Sequence, residues 1–259
     1  GIVPNSGSYE LCYPERENTI VGNLVHDNNE DENPAIDVAL LAHGNGILVA
    51  GSVKNVVERN RVWNHDRTGI GLVPFPEEDA SDLAPDQSEW GTSCEETHDA
   101  QVPPIPEEDC KSVDGLLEGC VVFWNPYDNR VVENVVEGSG VADLAVGSVD
   151  LLGTGETTDM LRNCFSGNTF STSAPAQLEA LAPCEGTGSG DWNSGALDLL
   201  GLFGQPAAAP PKETYKSTPV PEPQPNMPDA STSPARPATD VPARIDLASI
   251  QVPDKPAGA

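Results

Sequence analysis

The 259-residue chain has a net charge of −28, from 41 acidic and 13 basic residues. Such a surface repels phosphate backbones and anionic lipid, which sets nucleic acid and membrane surfaces aside as partners. Pro (25) and Gly (24) are abundant and aromatic residues make up only 5%, which argues against a wide core of large rings and against a chain that is globular throughout.

No apolar run reaches the roughly 18 residues of a membrane span. Nucleophile-elbow, HExxH, phosphate-loop and dinucleotide signatures are absent. The chain starts without Met or signal peptide, inside what reads as a repeat, so a mature or truncated piece of something longer is expected. The six cysteines are Cys12, Cys94, Cys110, Cys120, Cys164 and Cys184. They form no CxxC and no Cys/His set with zinc spacing, so a secreted, disulfide-bonded protein is the expectation.

In chain order, the first signal is Asn18-Thr-Ile-Val-Gly-Asn23. The same Asn-x-apolar-x-x-Asn spacing recurs at Asn55–Asn60, Asn129–Asn134 and Asn163–Asn168, with Val25, Val62, Val136 or Phe170 two places further on. A second type of apolar element accompanies these: Ile36–Leu40, Ile47-Leu-Val, Ile70-Gly-Leu-Val, Cys120-Val-Val-Phe and Val141–Val146. Ile47 to Ile70 is 23 residues and Cys120 to Val141 is 21. A period near 22 built from very short strands predicts a solenoid whose strands pair in parallel, circuit upon circuit. The asparagines are expected at matching corners, where they take the left-handed backbone conformation and stack into hydrogen-bonded ladders.

Between these units lie the irregular parts. Residues 74–118 interrupt the repeat with a long acidic insertion in which Lys111 is the only Lys or Arg. Cys94 and Cys110 lie inside it and predict a local disulfide. Cys164 and Cys184 are close in sequence and form the other predicted pair. Cys12 and Cys120 remain open: paired together, paired elsewhere, or buried as free thiols. Ser173–Leu181 reads as a short helix with Pro175 in its first turn, and Asp191–Phe203 as a helical cap, with Trp192 and Phe203 as cap packing before any sugar-stacking role. Residues 205–259 hold 13 of the prolines and predict an extended or disordered tail. Within it, Arg244–Val252 alternates enough to add as a strand or to dock onto a surface.

The repeat units Asn18–Asn28, Gly46–Val73, Asn129–Val146 and Asn163–Phe170 cover about half of the chain. They resemble the right-handed parallel β-helix family with the pectate-lyase-like or pectin-lyase-like fold. That resemblance implies an all-β solenoid over residues 1–172 (insertion 74–118), a capping segment at 173–204 and the tail at 205–259. The family's enzymes work in a groove along one strand face. Its polysaccharide lyases use Arg, Lys or His as the base, with acids and often calcium neutralising the substrate. Here His65, Asp66 and Arg67 are the candidate catalytic cluster, loosely similar to the clusters of alginate epimerases but without their tyrosine motif. Asp27, Glu30 and Asp31 are the candidate Ca²⁺ ligands, dense in hard oxygens but without EF-hand spacing. The expected function is a secreted module that binds or processes polysaccharide with Ca²⁺ assistance. The competing expectation is a non-catalytic structural or adhesion module of the cell surface.

Overall fold

The computed structural model describes residues 1–6, 14–29, 41–78, 121–147, 158–189 and 244–258. In chain order its strands are β1 (Thr19–Val21), β2 (Leu24–His26), β3 (Ile47–Ala50), β4 (Val56–Glu58), β5 (Arg61–Trp63), β6 (Thr68–Val73), β7 (Phe75–Glu78), β8 (Val121–Trp124), β9 (Arg130–Val132), β10 (Val135–Glu137), β11 (Ala142–Val146), β12 (Cys164–Ser166) and β13 (Ser173–Ala174). Among the described residues one short α-helix, α1 (Leu178–Leu181), follows them. The described residues are mostly β, and three of their sheets are parallel: β1-β4-β9-β12, β10-β5-β2 and β13-β11-β6-β3. The chain visits these three sheets in turn and then starts again.

The pairing puts like side chains above one another. Ile20, Val57, Val131 and Phe165 form one row in the first sheet. Val25, Val62 and Val136 form a row in the second. Ile47, Ile70 and Leu144, with Val49, Leu72 and Val146, form two rows in the third. All of these belong to one buried cluster. The strands are too short to be stable alone, so this stack of β-branched and leucine side chains holds them, at about 1.5–3 kcal/mol per fully buried side chain. Leu178 of α1 joins the cluster and closes one end. The predicted Cys164–Cys184 disulfide ties β12 to the chain just beyond that helix.

The asparagines do form two ladders. In the first, the Nδ2 of Asn18 donates to Asn55 Oδ1 (2.9 Å), Asn55 Nδ2 to Asn129 Oδ1 (2.8 Å) and Asn129 Nδ2 to Asn163 Oδ1 (3.0 Å). In the second, Asn23, Asn60, Asn134 and Asn168 repeat the arrangement at 2.9–3.0 Å. Each backbone N–H along the way donates to the same neighbouring Oδ1. The second amide proton goes to a main-chain carbonyl, as from Asn134 to Val57 and from Asn60 to Ile20, or to a side-chain oxygen, as from Asn18 to Glu15 Oε1 and from Asn55 to Ser52 Oγ. Buried amides are tolerated here because both protons and the oxygen are used.

The backbone of these corners corrects one expectation. The left-handed residue is not the asparagine but its predecessor: Glu17, Lys54, Asp128 and Arg162 in one ladder, and Gly22, Arg59, Glu133 and Gly167 in the other. The asparagine has to keep its N–H aligned with the next rung, so the reversal of φ falls one residue earlier, at the outer edge of the turn.

Two other expectations change. Residues 121–124 do not begin a parallel circuit; β8 pairs antiparallel with β7. Phe75 and Trp124 of this pair pack with Leu48, Ala50, Val73 and Ala145 on the outer face of the third sheet, forming a second apolar cluster. Residues 173–181 are not one helix. Ser173–Ala174 extends the third sheet as β13, a cis peptide bond precedes Pro175, and only 178–181 is helical. The physical reason lies in the main chain: Leu144 and Ala145 still offer a parallel partner at 173–174, and strand pairing there wins over local helix propensity. Cys12, Cys94, Cys110, Cys120, Trp192, Phe203 and Ile36–Leu40 lie outside the described residues.

Candidate functional site

His65, Asp66 and Arg67 form the turn that carries the chain from β5 into β6. They alternate in direction. His65 is 2% exposed and its Nε2 lies 3.3 Å from the Val25 carbonyl. Asp66 is exposed, and its backbone N–H donates to Asn29 Oδ1 at 2.9 Å. Arg67 is 6% exposed, with Nη1 3.5 Å from the Leu41 carbonyl. Burial pushes the His65 imidazole below its ordinary pKa, and the nearby α-amino group of Gly1 adds to that, while the Val25 carbonyl works against it. Burial likewise lowers Arg67. His65 Nδ1 is buried without a hydrogen-bond partner, as expected for a neutral ring held by its other nitrogen. The turn therefore sends a base and a cation inward and the acid outward. It does not gather the three on one accessible surface.

Asp27 is exposed and already engaged. Its Oδ2 is 2.6 Å from His26 Nδ1, and its Oδ1 accepts from Asn64 Nδ2. His26 first, and Asn64 second, hold its carboxyl below the usual range. Asn29 spans the same corner, donating through Nδ2 to the Asn64 carbonyl and accepting from Asp66 N–H. This segment works as an irregular third corner in which each Asp27 carboxylate oxygen already has one partner. Glu30 and Asp31 lie outside the described residues. Among the described residues no three His, Cys, Asp or Glu side chains are grouped to hold a metal ion.

Sequence reasoning passed over two clusters. The first is Asp143, 1% exposed within β11. Its carboxylate accepts from the backbone N–H groups of Ser139 (3.1 Å), Ser171 (2.9 Å) and Thr172 (3.1 Å). A buried carboxylate so surrounded by amides fastens two successive turns together. The second lies on the outer face of the second sheet. With Val25, Val62 and Val136 facing inward, the residues on either side face outward. His26, Trp63 and Glu137 therefore form one cross-strand row. His26 stacks on Trp63 with ring centroids 4.3 Å apart and planes 9° from parallel. A Trp at the outward phase of a strand was the available signal.

No protein-family model, no curated protein and no solved structure matches this chain.

Proposed function

We propose that the three parallel sheets are the walls of a right-handed parallel β-helix of the pectate-lyase-like kind, and that the chain is a non-catalytic structural or adhesion module working outside the cell. Parallel strand-to-strand crossovers are almost always right-handed, which supports the hand. The Cys164–Cys184 disulfide fits an oxidising compartment. The observation that carries the non-catalytic reading is the in–out–in placement of His65, Asp66 and Arg67, with His65 buried and neutral in character. A general base has to reach a substrate proton within hydrogen-bond distance, and a ring 2% exposed does not offer that. The outer face of the third sheet gives no substitute among the described residues: it is apolar and covered by Leu41, Phe75 and Trp124.

The test is incubation of the protein with uronate-containing and neutral glycans, with and without Ca²⁺. The expected result is no shortened product and no calcium-dependent shift in melting temperature. Product formation that disappears in Asp66→Asn, with the melting temperature unchanged, would overturn the reading in favour of a polysaccharide-processing enzyme.

A further inference from the structure

Residues 244–258 follow 54 residues of intervening chain, 190–243, so no short connection dictates where they lie. They nevertheless run over the outer side of the second sheet and the corner that enters it. Arg59 Nη2 donates to the Leu247 carbonyl at 2.8 Å, and Arg61 Nε to the Pro253 carbonyl at 2.7 Å. The side chain of Ile250 fills the space over Gly22, where an added Cβ would collide with it. Lys255 Nζ sits 3.0 Å from Glu137 Oε1 and 5.0 Å from the centre of the Trp63 ring. Trp63 points outward yet is only 3% exposed, because His26 covers one face of it and this segment lies across it.

These contacts divide the work as a peptide-recognition site does. Two arginines read main-chain carbonyls, which fixes register without reading sequence. Gly22 leaves room for one branched apolar side chain. Trp63 and Glu137 together make a slot for a cation, with an aromatic face on one side and a carboxylate on the other. Ile250, Val252, Pro253 and Lys255 are the half-buried positions, and the residues between them are exposed. The segment is also shaped in advance. Asp246 caps a 3₁₀ turn at Leu247–Ser249, its Oδ1 accepting from Ala248 N–H at 3.1 Å, and Pro253 restricts the chain beyond it. Pre-shaping lowers the ordering cost of docking.

We propose that the outer face of the second sheet is a recognition site for an extended, lysine-bearing peptide, and that residues 244–258 are its ligand. The site is occupied in cis, and the bond between site and ligand is not the covalent chain but the four contacts above. A separate copy of the same segment is therefore recognised and exchanged. This inference does not depend on the non-catalytic reading.

The full chain, given a site-specific protease sequence within residues 205–243, is cut while folded and passed over a sizing column at tens of micromolar. The fragment carrying 244–258 is expected to travel with the body. A labelled synthetic 244–259 peptide in excess is expected to replace it. A peptide with Lys255→Ala should compete about 5- to 10-fold more weakly, the size expected for one charge-assisted contact with a cation–π component. A peptide with Ile250→Asp should not compete. Immediate separation of the fragment without binding of the labelled peptide, or equal competition by all three peptides, would overturn the proposal. A second measurement uses the uncut chain. Lys255→Ala and Ile250→Asp should each increase acrylamide quenching of the fluorescence that Trp63→Phe removes, with the melting temperature of the body retained. Unchanged quenching in both variants sinks the proposal independently of how the cut protein behaves.

Discussion

Two kinds of corner connect the sheets, and they solve the same problem differently. The corners at either end of the first sheet repeat one chemistry in every circuit. An asparagine amide is passed from rung to rung with the same donors and the same acceptor, at separations of 37, 74 and 34 residues. The corner between the second and third sheets repeats its backbone, with a left-handed residue at Asp27, Asn64 and Gly138, but not its side-chain chemistry. There, Asp27 engages His26 and Asn64, Asn29 bridges to Asn64 and Asp66, His65 rests on a carbonyl, and Asp143 collects three N–H groups. A ladder cooperates because every rung is both donor and acceptor. An irregular corner is a set of local solutions, each of which tolerates change on its own. The ladder also needs an acceptor at its end. Asn168 has no further asparagine and finds Glu179 of α1 instead, whose Oε1 accepts from both Asn168 N–H and Nδ2 at 2.7 Å.

The largest expected effect breaks the ladder in the middle. Asn129→Ala leaves the Asn55 N–H and one Nδ2 proton of Asn55 without their acceptor and the Ser52 carbonyl without this donor, while Asn163 Oδ1 keeps only the backbone N–H of residue 129. Chemical denaturation should show a loss of about 3–5 kcal/mol, because buried groups left unmatched cost more than a bond gains. Asn18→Ala, at the half-buried first rung, should lose no more than about 1 kcal/mol. If both substitutions cost the same, the ladder is not cooperative.

At the ladder's end, Glu179→Ala should cost about 1–2 kcal/mol, while Glu179→Gln, which keeps an acceptor oxygen, should retain most of that. Equal losses in the two variants would mean that α1 caps by packing alone.

The third corner should reveal itself through pH. The folded chain disfavours protonated His65, so its pKa lies below the 6.5 of an unhindered imidazole. The unfolded chain then binds the extra proton first. The contribution of His65 to stability is complete above pH 6.5 and is lost as pH falls from there toward the depressed folded value. His65→Gln should flatten this part of the stability–pH curve, and an unaltered slope would remove His65 as its cause.

The smallest effect is a gain. Lys54 holds φ at +55°, a conformation costly for any residue with a Cβ. Lys54→Gly should raise stability by about 0.5–1 kcal/mol, the relief exceeding the entropy lost from the unfolded chain. In the third corner Asp27 and Asn64 hold the same conformation, but their side chains bond to each other, so a glycine at either forfeits that contact.

The repeats could be read from the chain because their physics is local and recurrent. The Asn-x-apolar-x-x-Asn spacing fixes both the corner and the inward residue, so that spacing alone assigns Val57, Val62, Val131, Val136 and Phe165 to the interior. The Cys164–Cys184 pair was legible for a similar reason, since its members lie close along the chain. The candidate site was less legible. Three adjacent residues of catalytic type say nothing of direction, and a tight turn that alternates its side chains separates His65 and Arg67 from Asp66. Residues 121–124 looked like another strand of the stack because apolar composition does not encode a partner. That β8 pairs with β7 follows from where the chain leaves β6.

By itself, the sequence determined the periodicity, the interior rows, the ladders and the parallel pairing, since each depends on residues repeated at fixed offsets. The tertiary structure decided what depends on distance in space rather than along the chain. It placed the φ reversal one residue before each asparagine, because rung-to-rung hydrogen bonding governs the orientation of that residue's N–H. It buried His65, because the neighbouring circuit supplies the Val25 carbonyl. It brought Lys255 to Trp63 and Glu137 across more than a hundred residues of chain, an encounter that no local pattern specifies and that the stacked outer row alone makes possible.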